Sequence, residues 1–290
     1  MVLTLIHIGG NIPEYFMTCL RQARKYFGGE IIAVVPEVVQ KNPRFSEFQE
    51  YNAKAVAWED LAQDTIYKEF KDACFLKGFW NVTMGRLFLL EILMRKYDLK
   101  EIIHIENDVL IYEDPNNMTE AFRKQASNSV AMTPIGDGYI AAAYCYIPHI
   151  EAISKLNTIM KSLLIIGEEQ LKRRTSGEMI NEMTLLAYIH KAYCGVIKHL
   201  PIRPIGKGAP GITPFNSVFD PASIGQHLDG TPSTPGVPMY DTDRHWLAPD
   251  LKSGKYKIEF IDGIPWMVAA SKRYRINNVH VHSKRLERFV

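Results

Sequence analysis

A chain of 290 residues with 47% apolar content is long enough to bury a full core, as one large domain or two closely joined ones. Its 34 basic and 32 acidic side chains leave a net charge of only +2, which argues against a nucleic-acid partner recognised by bulk electrostatics. Cys19, Cys74, Cys145 and Cys194 form no CxxC pair, no apolar segment approaches the roughly 18 residues that span a bilayer, and the N-terminus lacks the order of a signal peptide, so a cytoplasmic protein with free thiols is expected.

In chain order, the apolar run Val2 to Ile8 stops at Gly9-Gly10, and Asn11 followed by Pro13 is a helix start. Phe16, Leu20, Ala23 and Phe27 keep helical spacing until Gly28-Gly29, and Ile31 to Val35 is the next strand. This βαβ pattern predicts a mainly parallel sheet, with ligands at the carboxyl ends of its strands. Gly9-Gly10 either admits a nucleotide or makes a plain turn. Neither GxGxxG nor GxxxxGK[ST] follows, so the dinucleotide fold and the P-loop lack support. A second helix is predicted from Phe79 to Tyr97, burying Leu87, Leu90, Leu93 or Met94, and Tyr97. Arg86 on it is either a surface residue or a clamp for a phosphate or sugar.

The run Ile102-Ile103-His104-Ile105-Glu106-Asn107-Asp108-Val109-Leu110-Ile111 places two acids between strand-like segments. A buried strand carries carboxylates only where it ends and offers them to solvent, a cation or a ligand. Glu106 and Asp108 would share one face. Hard oxygen ligands at that spacing suit Mn²⁺ or Mg²⁺ held together with a substrate's phosphates; the competing reading is a solvated loop.

Tyr139 to Ile147 reads as a strand of small residues that lets another group approach closely. Helices are predicted over Ile150 to Ile166 and Glu178 to Cys194, the latter with Met179, Met183, Leu186 and Ile189 or His190 on its core face and Glu178 beside Glu182 on an adjoining one. Pro201 to Pro238 is a long Pro- and Gly-rich stretch. Within it, Phe219 to Leu228 predicts one short helical turn capped by Asp220, with Pro221 at the first position. Near the C-terminus, His280 and His282 should alternate onto one face of a short strand, followed by Lys284, Arg285 and Arg288. Imidazole can complete a metal shell begun by carboxylates, and the cations can neutralise phosphate.

These stretches resemble a known family. HIENDVLIYEDP is similar to the DxD region of the GT-A nucleotide-sugar glycosyltransferases, the closing HVHSKRL to their histidine-lysine ending, and FDPASIGQHLDG to a block of related bacterial and large-virus members. Glu106 stands where the motif commonly has its first Asp. The resemblance implies one α/β catalytic domain over 1–290 of GT-A-like, Rossmann-like fold, with a mainly parallel mixed sheet flanked by helices. Residues to about 115 would bind the nucleotide sugar, and 116–290 the acceptor, ending in a metal- and phosphate-binding tail.

It further implies transfer from a nucleotide diphosphate sugar, a UDP-sugar first, to a carbohydrate acceptor with Mn²⁺ or Mg²⁺. Asp108 is the safer metal ligand and Glu106 the second, and His282 is favoured over His280 because it lies nearer the strand end and Lys284. Ile8, Gly9, Asn107, Arg86 and Lys284 would contact the donor, Asn181 and Glu182 the anomeric carbon, and Asp220 and Gln226 the acceptor pocket. The block order favours retention. An inverting enzyme would need a carboxylate base, for which Asp137, Glu182, Asp220 and Asp262 qualify by residue type. Pro201 to Pro238 is expected to be an acceptor-side loop that orders when donor and metal bind. A sugar nucleotidyltransferase would carry a basic loop after the first strand, whereas Asn11-Ile12-Pro13-Glu14 stands there. A non-catalytic nucleotide-sugar-binding module is the remaining alternative.

Overall fold

Apolar residues fill the first strands without interruption, which suits a sheet covered on both faces. The computed structural model describes residues 1–41, 45–175, 179–206 and 212–290. Its strands begin with β1 (Val2–Ile6), β2 (Glu30–Val35), β3 (Ala53–Ala57), β4 (Ile102–Ile105), β5 (Val109–Ile111), β6 (Val130–Gly136), β7 (Tyr139–Ile147) and β8 (Ile197–His199). All of these except β5 form one seven-stranded mixed sheet in the order β3-β2-β1-β4-β7-β6-β8. Strands β1 to β4 run parallel, β7 is antiparallel to β4 and β6, and β8 pairs parallel with β6. The sheet is therefore the mainly parallel, mixed one that the sequence predicts.

Alternation along the strands divides the core between the two faces. Leu3, Leu5, Ile31, Ala33, Ile103 and Ile105 pack with Phe16, Leu20 and Phe27 around the helix Glu14–Tyr26. Ile32, Val34, Ile102 and Cys145 meet the helices Phe79–Lys96, Ile150–Ile165 and Glu182–Ala192. Helix Phe79–Lys96 buries residues around most of its circumference, and Tyr97 caps its C-terminus. It lies between the sheet and other helices, so it needs no polar face. No helix among the described residues is long and apolar enough to cross a membrane.

A smaller region completes the chain. Strands β9 (Ser217–Val218), β10 (Gly230–Thr231), β11 (Thr234–Pro235), β12 (Lys257–Ile261), β13 (Ile264–Ala269), β14 (Lys272–Ile276) and β15 (Asn278–His280) follow. An antiparallel β12-β13-β14 meander ends on β9, and β10 pairs with β11. The pairing that matters for the site is β15 with β5, antiparallel, with Asn278 opposite Ile111 and His280 opposite Val109. It carries the C-terminal histidine to the acidic turn 172 residues earlier in the chain.

Several predicted boundaries shift: the first strand ends at Ile6, and the helix predicted to Cys194 ends at Ala192. The helix predicted from Glu178 begins at Glu182, because the Asn181 side chain accepts from the Thr184 N–H while Thr184 Oγ1 accepts from the Asn181 N–H, a reciprocal cap that fixes the start. Met179 consequently lies outside the helix and is exposed rather than in its core face, while Glu178 and its pairing with Glu182 lie outside the described residues. The Phe219–Leu228 turn is a helix over Ser223–Asp229, and Pro221 precedes it because Ala222 takes a left-handed conformation, φ 97°, at its N-cap. The histidine strand stops at His280, so His282 lies beyond it. Of the described residues of Pro201 to Pro238, several are ordered in helices at Ile212–Phe215 and Ser223–Asp229 and in β9, β10 and β11.

Gly225 lets helix Ser223–Asp229 lie against β15: a Cβ there would stand 1.8 Å from the His280 carbonyl oxygen. Gly225→Ala should cost at least about 2 kcal/mol, since backbone on both sides cannot give way. Urea unfolding would show it, and an unchanged midpoint would contradict so close a contact.

Candidate active site

The acids lie in the turn between β4 and β5, at the carboxyl end of a parallel strand, where open α/β sheets present ligands. Glu106 N–H donates to the Ala143 carbonyl and Val109 N–H to that of Glu106, which ties the turn to β7. β15 runs back alongside, with the Val281 N–H on the Asp108 carbonyl. His280 Nε2 consequently lies 3.2 Å from Asp108 Oδ2 and 3.4 Å from Glu106 Oε2. Glu106, Asp108 and His280 offer ligand atoms within 4.8 Å of one another, and they form the one group of three or more metal-capable side chains among the described residues. Two carboxylates and an imidazole form a donor set that fits Mn²⁺ or Mg²⁺.

Each carboxylate already has a cation. Lys284 Nζ is bonded to Asp108 Oδ2, and Arg86 to Glu106 Oε1. Burial pushes the Asp108 carboxyl up, but His280 and Lys284 outweigh that and hold it well below the usual carboxylate range. Glu106 is likewise lowered, with burial opposed by Arg86 and His280. His280 is raised: burial would lower it, and the Asp108 charge prevails. His282 is not part of the trio. Its ring lies against that of His280, centroids 4.2 Å apart and planes tilted by 40°, and burial followed by the His280 charge drops its pKa to about 3. Geometry thus reverses the predicted order of the two histidines: β15 ends at His280, directly across from the acids, and the chain turns away before His282.

A cavity of about 450 Å³ opens beside the trio. Glu106, Asp108, His280, His282 and Lys284 line one part of it. Ala141, Ala142 and Ala143 of β7 contribute small side chains, Phe79, Trp80 and Thr83 come from the helix Phe79–Lys96, and Glu182, Met183, Gln226 and His245 supply further wall. Glu182 is the first residue of its helix; its Oε2 lies 3.4 Å from Arg86, whereas Oε1 is buried with no partner. Burial raises its pKa against the pull of Arg86. A larger hollow of about 810 Å³, lined by Glu101, Arg123 and His149 among others, has its charges paired at the opposite ends of the strands and lacks a convergent ligand set.

The other predicted site residues divide clearly. Gln226 lines the cavity. Arg86 does not: its guanidinium is engaged by Glu106 and Glu182, so it braces carboxylates where a phosphate clamp was expected. Asn181 caps its helix. Asp220 is fully buried and accepts four backbone N–H groups, from Ala222 and Ile224 on Oδ1 and from Gly225 and His280 on Oδ2. With every lone pair engaged it has nothing to offer an acceptor, and it holds the His280 backbone instead. Ile8, Gly9 and Asn107 stand outside the cavity lining; Asn107 Nδ2 is 3.2 Å from His7 Nδ1 and its Oδ1 is buried without a partner. Of the carboxylate bases considered, Asp137 lines a different hollow and Asp262 occupies the exposed turn between β12 and β13, leaving Glu182 in the cavity. Trp80, Thr83 and His245 go unpredicted as site residues, with no motif to mark them, while Met183 is predicted only as part of a helix core face and Ser223 only as part of the FDPASIGQHLDG block.

No protein-family model matches the chain, and no curated protein matches it. Among solved structures it is similar to an apo form of mouse xyloside xylosyltransferase 1, at 9% identity and TM-score 0.48 over 69% of this chain and 84% of that one. It is also similar to the galactosyltransferase LgtC in complex with donor and acceptor sugar analogues, at 12% identity and TM-score 0.42 over 69% of this chain and 73% of that one. A third likeness is to the PaToxG glycosyltransferase, at 11% identity and TM-score 0.45 over 67% and 70% of the respective chains. The chemistry of this chain is carried by its own side chains.

The trio makes a direct expectation. His280→Ala should weaken Mn²⁺ binding at least about tenfold, and His282→Ala by less, because only the former removes a converging donor. Calorimetric Mn²⁺ titration of both variants reads the difference; a larger loss in His282→Ala would reverse the assignment.

Proposed function

We propose that the protein is a metal-dependent glycosyltransferase that moves a sugar from a nucleotide diphosphate sugar, a UDP-sugar first, to a carbohydrate acceptor. The observation that carries this reading is the meeting of Glu106, Asp108, His280 and Lys284 at one part of a cavity that also contains an unpaired Glu182 oxygen and a small-residue floor. An anionic diphosphate and a neutral sugar need those two environments side by side.

The fit of two carboxylates and an imidazole supports a bound Mn²⁺ or Mg²⁺ on Asp108, Glu106 and His280, where it would neutralise the diphosphate leaving group as a Lewis acid. Lys284 would contribute positive charge to the same diphosphate oxygens. Glu182 Oε1 is free to accept a hydrogen bond from a sugar hydroxyl or to face the anomeric carbon, and Arg86 keeps that carboxylate in place from behind. The alanines of β7 leave room for a pyranose ring, and Gln226 can hydrogen-bond its hydroxyls. The nucleoside is assigned to the amino-terminal half near Ile8 and Gly9, and retention is the stereochemical course we infer from the resemblance.

Incubation with Mn²⁺ and a panel of UDP-, GDP- and dTDP-sugars, with and without pyrophosphate, tests the class of reaction. Slow release of nucleoside diphosphate from one donor is the expected product and names the sugar. Pyrophosphate-dependent formation of a nucleoside triphosphate would identify a sugar nucleotidyltransferase, and binding without turnover a non-catalytic module. Asp108→Asn should lower transfer at least about 100-fold while circular dichroism reports a folded chain. Near-normal activity with unchanged Mn²⁺ dependence would sink the metal assignment.

A further inference from the structure

His245 comes from a segment that neither the acidic turn nor the histidine ending predicts, yet it lines the same cavity. Its backbone is pinned from both sides. His245 N–H donates to the Asp241 carbonyl at 2.9 Å, and Trp246 N–H to that of Ile135 on β6 at 2.8 Å. Gly136, next on β6, admits the Arg244 carbonyl so closely that a Cβ would lie 1.9 Å from it. The ring is fixed as well: Nδ1 lies 2.7 Å from the hydroxyl of buried Ser223, the first residue of the helix that carries Gln226.

With Nδ1 held, Nε2 is the ring's remaining polar atom, and it takes no partner among the described residues. A serine hydroxyl both donates and accepts, so either neutral tautomer is supported and Nε2 can serve as donor or as acceptor. That dual character matches a sugar hydroxyl. Burial lowers the His245 pKa, which keeps the ring neutral. It stands apart from the metal-capable trio. His245 is half-buried and follows the exposed residues 242–244, whereas Asp108 and Glu182 are buried, so it stands on the solvent side of the cavity. A donor whose diphosphate fills the buried Asp108 corner would leave that rim to the second substrate.

We infer that His245, oriented by Ser223, recognises the acceptor: its Nε2 hydrogen-bonds a hydroxyl of the carbohydrate that receives the sugar. Ser223 is then a positioning residue. This inference rests on the glycosyl-transfer reading and adds the residue that selects the second substrate. The leaving diphosphate and its counter-charges stay with the Asp108 corner, so loss of His245 leaves cleavage of the donor by water intact and weakens the acceptor alone.

The test uses the full chain with Mn²⁺, the nucleotide sugar that the wild type hydrolyses fastest, and a panel of methyl α- and β-hexopyranosides as acceptors. His245→Ala should retain donor hydrolysis within about twofold and raise the KM for the best methyl glycoside at least about tenfold. Ser223→Ala should raise it less, and His245→Gln, which returns an amide near the Nε2 position, should recover much of the loss. Unchanged acceptor KM in His245→Ala with hydrolysis intact overturns the inference, as does an equal loss of hydrolysis and transfer in a folded variant. A wild-type chain that binds none of the nucleotide sugars would instead remove the glycosyl-transfer reading, and this inference with it.

Discussion

A carboxylate taken out of water must be compensated where it lies, and three buried aspartates do much to hold this molecule's site together. Asp108 accepts the Lys284 ammonium and faces His280. Asp220 accepts the His280 backbone N–H along with three donors at the start of helix Ser223–Asp229. Asp229, at the other end of that helix, takes the Ser283 hydroxyl and the guanidinium groups of Arg285 and Arg288. The C-terminal segment is thus fastened at successive points to carboxylates from two distant parts of the chain. Removing any one acid would strand buried donors, so electrostatics fixes the tail's position together with the packing of Val279, Val281 and Leu286 in the core.

That fastening explains a local conformation that is otherwise unfavourable. Lys284 has φ of 64°, in the left-handed region where a non-glycine residue is strained. Ser283 and Arg285 on either side are both tied to Asp229, and the Lys284 side chain is tied to Asp108. The strain persists because its neighbours over-determine it, and its result is an ammonium directed into the cavity. Ala222, with φ of 97°, is held comparably, its N–H on Asp220, and it too lines the cavity.

Periodicity and turn chemistry made the middle of the sheet and its long helices legible in the sequence, though not β3, β6 or β8: Tyr139–Ile147 and the start of Ile150–Ile165 match the predicted limits, and Phe79–Lys96 ends one residue early. The acidic turn and the histidine ending were legible because charged or imidazole side chains in β-branched runs conflict with burial unless they meet a partner. What could not be read was which partner each would meet. Sequence leaves Arg86 open to phosphate, whereas Glu106 and Glu182 engage it; Asp220 reads both as a helix cap and as an acceptor-pocket residue, and its four N–H donors agree with the cap. The Arg86 contacts join residues 20 and 96 positions apart; three of the Asp220 donors are local, and only the His280 N–H, 60 positions on, is remote. His245 left no trace because a single histidine in a polar segment has no pattern; only the packing of that segment on Gly136 and Ser223 gives it a direction.

The charge pattern also shows why the site can stay folded and still take a ligand. Glu106, Asp108 and Glu182 converge with Arg86, Lys284 and a His280 whose pKa is raised by the Asp108 charge, so the cluster is close to balanced by itself. These cations differ in how freely they can leave. The Arg86 side chain is only 12% exposed and is bonded to two acids, which makes it a fixed brace. The Lys284 side chain is 39% exposed, a single flexible stem on a compact charge. An anionic ligand entering the cavity therefore meets one counter-charge that can turn towards it and one that cannot. The mobile charge lies at the exposed end of the cluster and the fixed one behind it, so a ligand can rearrange Lys284 without uncovering the buried carboxylates that hold β4, the helix Phe79–Lys96 and the helix Glu182–Ala192 together.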